Sequence, residues 1–261
     1  VWSEHQKREA MKLHFFPENK ILVKGALNFD HLANPEFKVK SKEKFLQSIG
    51  AKPNRKLILY AAANKFTVSD ENNIRLLNQI LESGTLGYDC HLHVRKYPKA
   101  PKNYDFIERL PNCSSEDAGR VVLSWSDRVD QTNEDLQHSK NLLTHADIVI
   151  QISSTIAIDA AYLDKPVIYP SLQEDIKKAS YFHMARYARK FTHNIYLEKS
   201  GGVCVVTSKE ELISSLKKYL DYPQFNYKNR QEMVNLIAGT RDGMVGHRIG
   251  TFLLSRLNAK S

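Results

Sequence analysis

Cysteine, tryptophan, proline and glycine are all scarce in this 261-residue chain: 3 Cys, 2 Trp, 9 Pro and 11 Gly. Each shortage excludes something. Cys90, Cys113 and Cys204 cannot all pair and have no metal-ligand spacing, so they read as buried thiols in a reducing compartment, the cytosol. So little Gly and Pro excludes a collagen-like or low-complexity chain. No apolar run approaches the roughly 18 residues a membrane-spanning helix needs; the longest, Ala146 to Ile152, reads as a strand. No signal peptide is expected. HExxH, CxxC, GxSxG, GxGxxG and the Walker phosphate loop are all missing, so no metal site or nucleophilic triad is expected.

What remains is an ordinary globular composition, 42% hydrophobic and 26% charged, with a formal charge of +9. That balance suits a polyanionic partner: nucleotide phosphates, anionic lipid or nucleic acid. A merely solvated basic surface explains it equally well. The densest groups, Lys38 to Lys44 and Lys177 to Lys190, lack interleaved stacking aromatics, so no nucleic-acid partner is expected. The chain opens Val1-Trp2-Ser3, and its first ten residues read as the end of a helix. A fragment with another domain upstream is therefore expected.

Short apolar runs alternate with amphipathic stretches. Ile21–Lys24, Leu57–Tyr60, Cys90–Val94, Val121–Trp125, Asp147–Ile152, Pro166–Tyr169 and Val203–Val206 read as strands buried on both faces. Between them, Ser69-Asp70 opens a helix carried by Ile74, Leu77, Ile80 and Leu81 and stopped at Gly84. Ser208 with Glu211 reads as a capping box. Tyr227 to Leu257 reads as two helices broken at Gly239 to Gly243. The expectation is an α/β fold, a doubly wound Rossmann-like parallel sheet with a C-terminal helical tail. Residues 1–20 would be the end of a linker or preceding-domain helix, 21–225 the Rossmann-like domain and 226–261 the tail.

Ligands of such sheets bind beyond the carboxyl ends of the strands. Ser153, Ser154 and Thr155 follow one strand and open a helix, where hydroxyls and free N–H groups favour an anion. A plain N-cap would explain one hydroxyl but not three. Asp159, on the same helix face as Thr155, could reach a ribose; its apolar neighbours leave it in need of a partner. His91, His93 and Arg95 share one strand face. Arg95 at the strand end suits a phosphate, and His93 could act as base or donor; His91 reads as a satisfied polar group. Trp125 with Ser126 could stack on a base, and Lys65 could offset phosphate charge. His14, His138, His145, His183 and His193 read as surface or core histidines.

The chain resembles a family at these points. His145 to Ile150, Ser153-Ser154-Thr155, Asp159-Ala160-Ala161 and Asp164-Lys165-Pro166-Val167-Ile168 look like the donor-binding block of GT-B glycosyltransferases. They are also similar to the block of CDP-glycerol glycerophosphotransferases. Lys20 to Asp30 resembles the "TGxPxFD" stretch joining GT-B halves, Leu59-Tyr60-Ala61 resembles "LYAPT", Arg95 with Pro98 resembles "RxHP", and Asp242 to Arg248 resembles "DGxAxxR". Ala62-Ala63-Asn64 and Tyr97 depart from those patterns, Tyr97 standing where the family has His. The resemblance implies the C-terminal, donor-binding half of a GT-B enzyme, inactive as this fragment alone. A nucleotide-diphosphate sugar would be held by Ser153, Ser154, Thr155, Asp159, Arg95, Lys65, Trp125 and Ser126, with His93 and Arg95 as catalytic candidates. No cofactor or metal would be needed. The acceptor site would lie in a missing N-terminal domain, and the enzyme would work in the cytoplasm in polysaccharide or glycoconjugate synthesis, in contact with the membrane face. The alternatives are polyol-phosphate transfer from CDP-glycerol, a UDP-sugar 2-epimerase, and a basic polyanion-binding module.

Overall fold

The computed structural model describes residues 1–63, 70–97, 104–123, 128–152, 154–172, 188–190 and 192–258. Strands β1 (Lys56–Ala61), β2 (Cys90–Lys96), β3 (Cys113–Asp117), β6 (Ile148–Gln151), β7 (Val167–Pro170) and β8 (Cys204–Val206) form one sheet in the order β3-β2-β1-β6-β7-β8. Every pairing in it is parallel. β4 (Arg120–Leu123) and β5 (Arg128–Asp130) form a separate antiparallel pair.

The central strands are apolar because both of their faces are covered: Leu57 to Tyr60 and Ile148 to Ile150 have no exposed surface. Helix α4 (Asp70–Glu82) packs against β2, with Ile74, Leu77 and Ile80 buried, and Gly84 ends it at φ +72°. α5 (Asn133–His145) and α3 (Lys42–Ser48) pack together. α6 (Ile156–Tyr162) joins β6 to β7, and α7 (Thr192–Lys199) precedes β8. α8 (Lys209–Asp221), α9 (Tyr227–Ile237) and α10 (Val245–Asn258) close the chain. At the amino ends of the strands Asp147 accepts from Leu57 N (2.8 Å), Lys42 (3.0 Å) and Lys56 (3.1 Å), fixing β1 against β6.

Several expectations are corrected. Ile21–Lys24 is not a strand: Ile21 is buried but Leu22 is exposed, and one bond to Glu18 and two with Val1 replace a ladder. Arg120–Leu123 pairs antiparallel with β5 instead of joining the main sheet. β3 has too polar a sequence to show as a buried strand; it lies at one edge of the sheet. Ser208 does take the Glu211 N–H (3.2 Å), but the Glu211 carboxylate turns to Thr207 rather than completing the box. A complete box stands elsewhere, between Thr132 and Asp135. The first helix, α1 (Glu4–His14), has its own start, with Ser3 as N-cap, donating to Leu236 O (2.6 Å) on α9.

The "TGxPxFD"- and "DGxAxxR"-like stretches close on each other. Asp30 accepts the N–H groups of Val245 (3.2 Å) and Gly246 (2.8 Å) at the start of α10, while Arg248 binds Asp242 (2.6 Å) and Lys24 O (3.1 Å). Gly25, at φ +102°, lies where a Cβ would fall 2.6 Å from Val245. These residues pin the last helix to the segment before the sheet.

Candidate functional site

The carboxyl ends of β1, β2, β3 and β6 bring together Ala61–Ala63, Arg95, Glu116 and the turn into α6. Register places Ala61 opposite Arg95 and Arg95 opposite Glu116, so these side chains share one face. His91, His93 and Ser114 lie below them on that face.

Arg95 is 8% exposed, and its Nη1 donates to Glu116 Oε1 at 3.0 Å. Among the described residues its other guanidinium nitrogens have no hydrogen bond. The second oxygen of Glu116 takes His138 Nε2 from α5. His93 Nε2 lies 3.1 Å from that same oxygen, outside hydrogen-bond geometry. The Ser114 hydroxyl ties the two strand histidines together, 2.8 Å from His93 Nδ1 and 2.7 Å from His91 Nε2. Burial alone would push the pKa of Glu116 up, but His138, His93 and Arg95 together hold it far below the usual carboxylate range. Burial, followed by the charges of His93 and Arg55, pushes His91 down to about 4, so it stays neutral.

Asp159, on α6 at the same end of the sheet, feels the charge of Arg95 without pairing with it. Burial pushes its acid up to about 7, against the pull of Arg95. It is half-buried, among Ala157, Ile158, Ala160 and Ala161. Thr155 is the N-cap of α6 and is exposed, and its side chain makes no capping bond. Ser154 is half-buried: its N–H donates to Gln151 Oε1 (2.7 Å), and its hydroxyl takes Ile156 N at 3.4 Å. Gln151 is wholly buried, and its Nε2 has no partner among the described residues.

Of the expected site residues, then, Arg95, Asp159, Ser154 and Thr155 gather at one end of the sheet. His93 joins them from beneath; at 2% exposure it supports the cluster rather than facing the cleft. Ser153, Lys65, Trp125 and Ser126 lie outside the described residues. Sequence reasoning missed Glu116 and Ser114, whose alternation on a polar strand opposite His93 and Arg95 was the available signal. It also set aside His138. Among the described residues no group of His, Cys, Asp and Glu is placed to hold a metal, and no helix is long and apolar enough to cross a membrane. The arrangement offers a cation, a proton-bearing carboxyl, an exposed hydroxyl and a helix start, the components of a phosphate and ribose grip.

The model of a family described as CDP-glycerol:poly(glycerophosphate) glycerophosphotransferase matches residues 1–255. No relative matches among curated proteins. Among solved structures, the wall teichoic acid polymerase TagF is similar over 100% of this chain and 58% of its own, at 16% identity and a TM-score of 0.61. A form soaked with CDPG gives 0.62. The UDP-GlcNAc 2-epimerase of Neisseria meningitidis bound to UDP-GlcNAc is similar over 97% of this chain and 59% of its own, at 19% identity and a TM-score of 0.56. At such identities the likeness is one of fold, and this chain spans less than two thirds of the length of these structures.

Proposed function

Because this chain belongs to the CDP-glycerol:poly(glycerophosphate) glycerophosphotransferase family, we propose that it is the donor-binding half of a GT-B transferase and takes a CDP-activated polyol. The observation that supports this most is a nearly buried Arg95 at the same end of the sheet as Asp159 and the exposed start of α6. In this reading Ser153, Ser154 and Thr155 hold the diphosphate, with Lys65 as a second cation. Asp159 grips the ribose, and Trp125 and Ser126 flank the base. An acceptor hydroxyl attacks the β-phosphorus, the bond to the bridging oxygen breaks, and CMP departs. Arg95 offsets the charge that grows on the leaving phosphate. The acceptor and the base that takes its proton belong to a partner half, so this chain alone binds without turning over. The reading places it in the cytoplasm at the membrane face, in cell-surface polymer synthesis.

A second reading, glycosyl transfer from a nucleotide sugar, is favoured by Ala62-Ala63 and Tyr97, which replace the family's Pro-Thr and His. Calorimetric titration separates the two. CDP-glycerol and CDP should bind well ahead of UDP and GDP sugars; a preference for a UDP or GDP sugar would shift the assignment to glycosyl transfer. Steep salt dependence with no nucleotide preference would replace both with a polyanion-binding module.

A further inference from the structure

Glu116 is the point where side chains from two neighbouring elements converge. Arg95 holds one carboxylate oxygen, His138 the other, and His93 stands against it from below. The three partners differ in access to water. The side chain of His93 is 2% exposed, that of Arg95 9% and that of His138 39%. His138 also forms part of the wall of a cleft of about 410 Å³ between α5 and the segment around Lys40 and Phe45. It is therefore the member of the cluster through which a proton can arrive and leave.

The charge balance then has two settings. With His138 neutral, Glu116 is the counter-ion of Arg95 alone and offsets its charge. With His138 protonated, the carboxylate is shared between two cations, and net positive charge is left at the strand ends. We propose that Glu116 is a positioning residue for Arg95, and that His138, by sharing Glu116, sets how much of the guanidinium charge faces a bound diphosphate; this rests on the donor reading above.

Among the described residues, other charges stand around the cluster. Asp135 and Glu134 lie on the same helix as His138, and Lys40 is across the cleft. Arg95 is also felt by Asp159 and by His31, which burial keeps low. Asp159 adds a pH dependence of its own, but it is unchanged in the variants below, so comparison at a single pH removes it.

The test is the affinity for CDP, measured calorimetrically at about pH 6 and about pH 8.5, either side of the ordinary histidine range. Glu116→Gln keeps an oxygen for Arg95 and drops the charge that opposes the guanidinium in either setting. It should bind about tenfold tighter than wild type at both pH values, the size of a one-unit electrostatic coupling. His138→Asn should be about tenfold weaker than wild type at the lower pH and equal at the higher. A gain at both pH values in one variant and a loss confined to the lower pH in the other are what a merely structural role does not produce. Two variants that track wild type at both pH values, or that deviate in the same direction, would overturn the proposal. A second measurement needs no ligand. The Arg95 guanidinium Nε–H resonance should move when Glu116 becomes Gln, and an unmoved resonance also overturns the proposal. If that resonance moves but wild type binds no cytidine, uridine or guanosine diphosphate, it is the donor reading that has failed, and the positioning role falls with it.

Discussion

Two buried arginines, Arg230 and Arg95, do opposite things. Arg230 on α9 has no exposed surface and every nitrogen engaged: Nε with Asp164 Oδ1 (2.9 Å), Nη1 with Phe225 O (2.6 Å) and Nη2 with Pro223 O (2.9 Å). It joins α9 to the α6–β7 turn, where Asp164 sits at φ +58°, and to the chain between α8 and α9. Arg95 is nearly as buried, yet among the described residues it has one partner side chain. A buried cation with all its donors satisfied has nothing left for a ligand, and its loss strands its partners. A buried cation at a strand end whose remaining donors meet no described residue has been desolvated without being fully used by them, which is the condition of a binding group.

The sharpest break of this comparison is Arg230→Met. It should lower unfolding free energy by about 3–5 kcal/mol, because Asp164 and two carbonyls lose their donor together. Chemical denaturation reads this, and nucleotide affinity of the folded fraction should stay within about twofold. Arg95→Met should invert the pattern. Nucleotide affinity should fall about tenfold to a hundredfold, roughly 1.4–2.8 kcal/mol, while stability changes by less than about 1 kcal/mol, because Glu116 keeps His138 and His93. Equal stability losses in the two variants would erase the distinction.

Sequence alone showed Arg95 and hid Arg230, for a physical reason. Arg95 ends an alternating strand, so its face and its place at the carboxyl end follow from a period of two. Arg230 lies on a helix among ordinary polar residues, and its partners come from a distant turn that no local pattern marks. The same holds for the strands. β1, β6 and β7 carry apolar runs because they are covered on both sides. β3, Cys113-Ser114-Ser115-Glu116-Asp117, is an edge strand whose inward residues bind polar groups of β2 rather than a core. Its polarity hid it, and with it Glu116. Ile21–Lys24 erred the other way, since an apolar run held by a single buried residue, Ile21, needs no ladder. In the site, the start of α6 was legible because three hydroxyls follow a buried strand. His138 was not, because a histidine on a helix face says nothing of the carboxylate it will meet.

The two carboxylates that feel the charge of Arg95 sharpen the comparison through pH. Asp159 has a folded acid raised to about 7 from an ordinary value near 3.8. Between those values the native state holds a proton that the unfolded chain has released, so stability falls as pH rises through that window and levels off above about 7. Glu116 is depressed, so its contribution is complete above its ordinary value and is lost only as pH falls well into acid. Asp159→Asn should flatten the decline in melting temperature between about pH 4 and pH 7 and leave the acid limb in place. A decline that survives the substitution would mean that Asp159 is not held protonated by its surroundings.

The smallest effect separates two threonines as the arginines were separated. Thr132 is the N-cap of α5, with its hydroxyl on Asp135 N (3.2 Å) and the Asp135 carboxylate returning to Thr132 N (2.8 Å). Thr132→Val removes the hydroxyl and should cost about 1 kcal/mol. Thr155 holds the same position on α6, but it is exposed and its hydroxyl caps nothing. Thr155→Val should therefore change stability by less than about 0.5 kcal/mol. If that idle hydroxyl meets a phosphate oxygen, the same change should weaken CDP binding by a few-fold, about what a single neutral hydrogen bond contributes. A Thr155→Val protein that binds as tightly as wild type would leave the phosphate to the helix N–H groups and Arg95, and the hydroxyl would be a bystander at the mouth of the site.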